Sequence, residues 1–557
     1  MTARRLWIQV WLLFGVLYIA LLGMRPMITP DEPRYAGMAA DLLATGEWFK
    51  LRMAGFTYYE KPPAGVWLIA ASEALFGHHA FAARLPGVLA TLASACAAGM
   101  VARRLSGRSE AAPLAALVQL TTAFPMVMGT VALLDPIFSA FVSLTLAWFL
   151  AGAEARGRRR AAWLLASGAA AGMGFLTKGL LAFAIPAVTA ACWLAWERRW
   201  RDLFALAWLP IAGACMLAGP LAWLIHRSEP GFWRYFIEVE HFRRFSNPDD
   251  NQHAEPWWLL SAVLVGGSLF WLVLWPRAIS AWKVDPGGRS VRRFCLSWIV
   301  PPLALLSLSA GKLPTYVLPL FPPIAALVAC GLLRWRAAVP TSRDAGSLVV
   351  VAITGTLAVA ALTMAVVGSQ VFGVPRLWIG AETPRWTLIG LAMAAWAALE
   401  IRSHWTSDPA AWLSRAAWIP VPALLCVHLL LPDATLSAPK APWPLLARHE
   451  TALREAGTVA ACNSMAHAVN WVSGRRDLII VGDPSEFDNE LDLPAERTRL
   501  VTSKELPRSA ARWAAEGPSV IVLDTASADA LTKSLGPAVR TRETDRDITL
   551  LVLAPAK

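Results

Sequence analysis

The sequence predicts an α-helical polytopic membrane protein followed by a small soluble α/β domain. Three observations lead there. The chain is 56% hydrophobic and 16% charged, with a mean hydropathy of +0.47, whereas a soluble domain carries about 25% charged residues. Its apolar residues gather into runs of span length separated by short basic loops. After residue 442 these runs stop and short β-type stretches take their place. The net charge of +12 would suit a nucleic-acid ligand, but it sits mostly in those loops, so membrane topology explains it better.

Taken in order, apolar runs lie near residues 6–23, 84–101, 111–128, 137–153, 161–177, 180–196, 203–225, 257–276, 294–309, 315–333, 348–368, 386–401 and 416–431. That gives about thirteen transmembrane helices. The first follows Arg4 and Arg5 without a convincing cleavage site, so it reads as a retained span and not a removed signal peptide. The 28 tryptophans suit span ends anchored at the interfaces. Ala64–Phe76 is apolar but short, and between Pro62-Pro63 and His78-His79 it reads as a helix lying in the interface. Basic clusters at Arg4/Arg5, Arg103/Arg104/Arg108, Arg156 to Arg160, Arg198/Arg199/Arg201, Arg277 to Arg293 and Arg334/Arg336 fall on one side, which the positive-inside rule makes the cytoplasm. An odd number of spans then puts the Met24–Pro63 loop and the C-terminus together on the opposite face. Six of the seven cysteines lie in or beside apolar runs, with no metal-ligand spacing and no disulfide framework.

Residues 1–432 therefore form the membrane domain, with its first loop at 24–63. Pro432 to Pro442 reads as a linker, and 433–557 as the soluble domain. There, Leu478–Val481, Val520–Leu523 and Ile548–Val552 have strand character, and the Ala-rich Ser509–Glu516 stretch is helical. The soluble domain has no phosphate loop, nucleophile elbow or metal-ligand cluster.

The polar residues concentrate on the non-cytoplasmic side. The first loop holds Asp31-Glu32-Pro33-Arg34-Tyr35-Ala36 and Tyr58-Tyr59-Glu60-Lys61-Pro62-Pro63, and at about forty residues it is far longer than a connector needs. Pro30 and Pro33 make an uninterrupted helix around the acidic pair unexpected. Asp135 precedes Pro136, Lys178 lies in Thr177-Lys178-Gly179, His241 to Phe245 occupies a longer loop, and Lys312 sits in Gly311-Lys312-Leu313-Pro314-Thr315-Tyr316. Plainer readings exist for each. The first loop can be a hairpin with headgroup-level salt bridges, and its two acids can cap a helix. Asp135 can be an N-cap, Lys178 can snorkel, His241 can be a packed histidine, and Lys312 can anchor at the interface. Carboxylates, cations and phenols from five loops at one membrane face nevertheless suit a lipid-linked phosphate substrate. Lys and Arg neutralise phosphate, Tyr adds directed donors, and cations stabilise a departing phosphate as a glycosidic bond breaks.

Together, Asp31 to Ala36, Tyr59 to Pro63, Thr177 to Gly179, His241 to Phe245 and Gly311 to Pro319 resemble the bacterial aminoarabinose (4-amino-4-deoxy-L-arabinose) lipid A transferases. These are GT-C superfamily glycosyltransferases related to protein O-mannosyltransferases. The early acidic motif is shared with the mannosyltransferases, whereas Gly311 to Pro319 favours the lipid A branch. The resemblance covers about the first 330 residues. It implies a membrane enzyme of about thirteen spans in the bacterial inner membrane, with its active site and C-terminal domain facing the periplasm. The implied donor is undecaprenyl phosphate-linked 4-amino-4-deoxy-L-arabinose, the acceptor is a lipid A phosphate, and the outcome is resistance to polymyxin and cationic peptides. The resemblance places Asp31, Glu32 and Asp135 in the catalytic cavity. It puts Lys61, Arg34, Tyr35, Tyr58, Tyr59, Arg244, Lys178, Lys312 and Tyr316 around the donor phosphate. Glu60 and His241 are then expected to hold any divalent ion (Zn, Mg or Mn), and no nucleotide or nucleic acid is needed. The competing expectations are transfer to protein hydroxyls or another glycan, and a transporter or flippase. The last calls for ionisable residues deep within spans, but here they gather at span ends.

Overall fold

The computed structural model describes residues 3–243, 255–272, 274–282, 288–309, 311–338, 383–403, 440–487 and 494–554, with single positions at 355, 418, 421 and 425. The chain divides into two compact units. One comprises Met1–Met24 and Arg84–Pro432, and the other Arg25–Ala83 and Asp433–Lys557. The first loop thus groups with the C-terminal region.

The first unit is helical. Among the described residues six helices are long and apolar enough to cross a membrane: Ala3–Ala20, Ala80–Ser106, Leu134–Glu154, Trp200–Ser228, Arg289–Leu308 and Pro314–Arg334. A seventh arises if Ala111–Thr121 and Ala123–Gly129, bent by 70° at Thr122, count as one broken span. The expected runs at 161–177 and 180–196 lie in the Gly157–Lys178 and Leu181–Trp196 helices. The run at 257–276 is broken after Gly267, and that at 386–401 lies in the Thr383–Ser403 helix. Nearly all of 348–368 and 416–431 lies outside the described residues. Where spans meet, small residues allow close approach. A Cβ on Gly168 would stand 1.9 Å from the Pro210 carbonyl oxygen, and one on Gly213 would stand 2.2 Å from that of Leu165.

The second unit combines the first loop with an α/β sheet. In the loop, the Asp31–Thr45 helix starts directly after Pro30 and carries Pro33 in its first turn. This corrects the expectation that the two prolines would prevent a helix. First-turn N–H groups have no intrahelical acceptor, so a proline there removes nothing. Strands β1 (Arg52–Met53) and β2 (Phe56–Thr57) form a tight hairpin, and Ala54 and Gly55 turn it with φ of 52° and 82°. The Ala64–Phe76 helix has the expected bounds.

In the C-terminal region lie β3 (Thr458–Cys462), β4 (Ile479–Val481), β5 (Leu500–Val501), β6 (Ser519–Asp524), β7 (Val539–Asp545) and β8 (Ile548–Leu553). They form one sheet in the order β5-β4-β3-β6-β8-β7. The first four run parallel and the β8–β7 edge is antiparallel. Helices Leu506–Glu516 and Thr525–Leu535 cover it, with Trp513, Ala514, Ala528 and Leu531 packed on Ile521, Leu523, Leu551 and Leu553. The near-continuous apolar runs of β6 and β8 are what a strand buried on both faces requires.

Candidate functional site

In the helical unit, three of the predicted residues come together. Asp135 lies in the first turn of Leu134–Glu154, and Lys178 is the last residue of Gly157–Lys178. Their side chains form an ion pair, 13% and 9% exposed respectively. The Lys178 ammonium also lies 4.7 Å from the centre of the Tyr316 ring and 6.0 Å from that of Phe138, within cation–π reach. Asp135 makes no N-cap hydrogen bond; Leu133 occupies that position. Lys178 is held by a partner and does not snorkel. Lys312 is 5% exposed and donates from Nζ to the Glu255 carbonyl at 2.8 Å. Arg84 was not singled out by the sequence reading. It is fully buried in the Ala80–Ser106 helix, with Nη1 donating to the Leu22 carbonyl at 2.8 Å. The available signal was a lone arginine at the start of an apolar run.

In the second unit, Glu32 is fully buried. Its Oε2 accepts from Arg25 Nη1 at 3.2 Å and from the Ile28 amide at 2.7 Å, closing the turn before the helix. Asp31 is half exposed and stands 3.7 Å from Arg34 Nη1. The other end of that guanidinium, Nη2, is 2.7 Å from Glu486 Oε2. Glu486 Oε1 lies 2.6 Å from Nε2 of the buried His467. Burial opposes the Arg34 cation, but Glu486 and the neighbouring Tyr35, Tyr58 and Asp31 outweigh it and hold its pKa well above the ordinary value. Burial likewise opposes the Glu486 carboxylate, yet His467 and Arg34 keep its pKa below the usual range. Burial lowers that of His467 despite Glu486, so the imidazole is neutral at pH 7 and donates from Nε2 to the carboxylate. Sequence reasoning missed Glu486 and His467.

Tyr35, Tyr58 and Tyr59 are buried. Lys61 Nζ donates to the Glu60 carbonyl at 2.9 Å and stands 4.0 Å from the Glu60 carboxylate. Thr57 binds Glu496 through its amide at 2.9 Å and its hydroxyl at 2.6 Å, and Arg499 Nη2 donates to the Ala54 carbonyl at 2.6 Å. Trp443 Nε1 donates to the Met27 carbonyl at 2.6 Å, so the loop is tied to the C-terminal region along its length. Arg244 and the side chain of His241 lie outside the described residues. Among the described residues no group of three or more His, Cys, Asp or Glu side chains is placed to hold a metal ion. Cations thus stand beside carboxylates in each unit, a composition that can bind and stabilise an anionic leaving group.

The model of the dolichyl-phosphate-mannose-protein mannosyltransferase family matches residues 7–236. An undecaprenyl phosphate-alpha-4-amino-4-deoxy-L-arabinose arabinosyl transferase of Edwardsiella ictaluri is 33% identical over 93% of each chain. Its namesake in Pseudomonas aeruginosa is 32% identical over 99% of each. Among solved structures, that of ArnT from Cupriavidus metallidurans bound to undecaprenyl phosphate is 22% identical and covers 98% of this chain and 97% of its own, with a TM-score of 0.79. The archaeal oligosaccharyltransferase AglB from Archaeoglobus fulgidus is 13% identical, covers 94% of this chain and 69% of its own, and has a TM-score of 0.51. These structures share the fold.

Proposed function

The chain belongs to the undecaprenyl phosphate-aminoarabinose arabinosyl transferase family, and from that premise we propose that it moves 4-amino-4-deoxy-L-arabinose from undecaprenyl phosphate to the phosphate groups of lipid A. It is a membrane glycosyltransferase that uses a polyprenyl-phosphate sugar donor. The observation that carries the reading is the similarity to arabinosyl transferases across 99% of both chains, which includes the C-terminal domain.

In this reaction an oxygen of the acceptor phosphate attacks the anomeric carbon. The bond from that carbon to the donor phosphate breaks, and the electron pair leaves with undecaprenyl phosphate. The acceptor is already ionised at neutral pH, so no strong general base is required. The protein's task is orientation and charge stabilisation. In this reading the groups that offer positive charge and phenols to phosphate are Lys178, fixed by Asp135, and Tyr316 in the helical unit, and Lys61, beside Glu60, with Tyr58 and Tyr59 in the second unit. Asp31 and Glu32 orient the sugar and the loop. Arg34, Tyr35, Arg244 and Lys312 complete the donor-phosphate surroundings. A divalent ion would be held by Glu60 and His241 and would add positive charge beside the phosphate. Loss of transfer on chelation, restored by Zn, Mg or Mn, supports that ion, and unchanged transfer removes it. The enzyme is placed in the inner membrane with the first loop in the periplasm, because the basic loops mark the other side as cytoplasmic. The modification lowers the negative charge of lipid A and gives resistance to polymyxin and cationic peptides.

Lipid A mass spectrometry in a strain that makes the donor tests the proposal. The aminoarabinose increment is expected with the intact protein and is expected to be lost with Asp31→Asn and Lys61→Ala. Unmodified lipid A in cells with the intact protein overturns it. A second reading, transfer to protein hydroxyls, is favoured by the mannosyltransferase family match. A hydroxyl acceptor must be deprotonated, so in that reading the sugar would be found on periplasmic proteins and not on lipid A, and Asp31→Asn would remove it from them.

A further inference from the structure

The Asp31-Glu32-Pro33-Arg34 motif does not hold itself in place. Its arginine is 15% exposed and points one amino group at Asp31, 3.7 Å away, and the other at Glu486, 2.7 Å away. Glu486 is separated from the motif by some 450 residues of sequence. Its second oxygen is fixed by His467 at 2.6 Å. That imidazole comes from the Asn463–Ser473 helix, is 1% exposed and stacks on Phe487, 5.2 Å between ring centres. Phe487 in turn meets Phe56 of the first-loop hairpin edge-on at 5.3 Å. The C-terminal domain therefore supplies both the charge that balances Arg34 and the packing that fixes the source of that charge.

We propose that Glu486, aligned by His467, is a positioning residue for transfer, acting through Arg34 to keep Asp31 free to face the substrate. This rests on the reading of the first loop as part of the active site. The physical argument concerns competition for one guanidinium. A buried cation must find a carboxylate. With Glu486 in place, Arg34 is satisfied from the C-terminal side and Asp31 stays at 3.7 Å, longer than a tight charge-assisted hydrogen bond. Without that carboxylate, Asp31 is the nearest acid among the described contacts of Arg34. The guanidinium then closes on it and withdraws it from the substrate. Through this chain of contacts the C-terminal domain acts on the reaction by way of Arg34.

The test is steady-state transfer by the full-length protein in detergent, using the lipid-linked aminoarabinose donor and lipid A. Glu486→Gln keeps the shape and one acceptor but loses the charge. Its kcat is expected to fall by about tenfold or more, the scale of a misplaced catalytic group, and by a larger factor than the donor KM rises. His467→Gln, whose amide still donates to Glu486, is expected to keep most of kcat, and His467→Leu to lose it as Glu486→Gln does. Adding Glu486→Gln to Arg34→Gln is expected to cost no more than Arg34→Gln alone. Unchanged kcat in folded Glu486→Gln overturns the proposal. If that variant does not fold, equal kcat in His467→Gln and His467→Leu overturns it instead. An inactive wild type in the same assay would refute the proposed function, a result distinct from either of these.

Discussion

Asp135 and Lys178 illustrate how much energy a single pair of residues can control in the helical unit. Both side chains are almost fully enclosed, so removing one leaves the other desolvated and uncompensated, at a cost of about 3–5 kcal/mol. Lys178→Met and Asp135→Leu are each expected to lower the thermal midpoint in detergent. The double variant is expected to regain most of that stability while remaining inactive, which separates folding from chemistry. Each residue was legible in the sequence as an ionisable group at a span end. Their pairing was not, because 43 residues separate them and no local pattern encodes which helix ends meet. The His467–Glu486 pair carries a second consequence. Both groups have folded-state pKa values below their ordinary ones, so at acid pH the unfolded chain binds more protons than the folded one. Stability from His467 is complete above its ordinary value of 6.5 and is lost below it; that from Glu486 is lost below 4.5. Protection factors of amides in residues 463–473, each referred to intrinsic exchange at the same pH, are expected to fall as pH drops below the first of these values, and His467→Gln is expected to remove that upper step.

At the scale of elements, the contact between Gly157–Lys178 and Trp200–Ser228 is set by two glycines, each against the other helix's backbone. Gly168 faces the Pro210 carbonyl and Gly213 faces that of Leu165. No rotamer relieves a clash with backbone, so Gly168→Ala or Gly213→Ala must push the helices apart, at about 1–3 kcal/mol each. Gly219→Ala is the matched control. It lies in the second helix with nothing within 4 Å of its added carbon, and it is expected to be neutral or mildly stabilising. Midpoints from thermal unfolding of the three variants check this. Elements were legible where composition and period agreed. The Leu478–Val481, Val520–Leu523 and Ile548–Val552 runs became β4, β6 and β8. The sheet's central β3 was not seen, because Thr458-Val459-Ala460-Ala461-Cys462 is poor in strand formers. Exposed β7 was not seen either, since Val539 to Asp545 is mostly polar. Glu486 follows Pro484 and Ser485 in a polar turn without any motif, so only tertiary structure reveals its partner.

At the scale of the whole molecule, the second unit constrains how often the chain crosses the membrane. Arg25–Ala83 and the C-terminal region share one compact unit, joined by direct contacts such as Thr57 with Glu496 and Arg499 with Ala54. Contacts under 3 Å cannot span a hydrocarbon core about 30 Å thick. Both segments must therefore lie on one side of the bilayer. The first loop lies on that side up to Ala83 and the chain is back on it by Lys440, whose carbonyl accepts from the Thr29 amide at 3.0 Å, so the crossings between them are even in number, and the first helix makes the total odd. About thirteen spans, read from apolar runs alone, satisfies this parity, as does the grouping of the basic loops on the other face. Alkaline phosphatase fused after Lys557 is accordingly expected to be active, as is a fusion in the first loop after Gly46. A fusion within Arg156 to Arg160 is expected to be inactive, and a fluorescent reporter folded only in the cytoplasm should show the opposite pattern. Opposite sidedness at Gly46 and Lys557 would be incompatible with the unit they share, whatever the total number of spans.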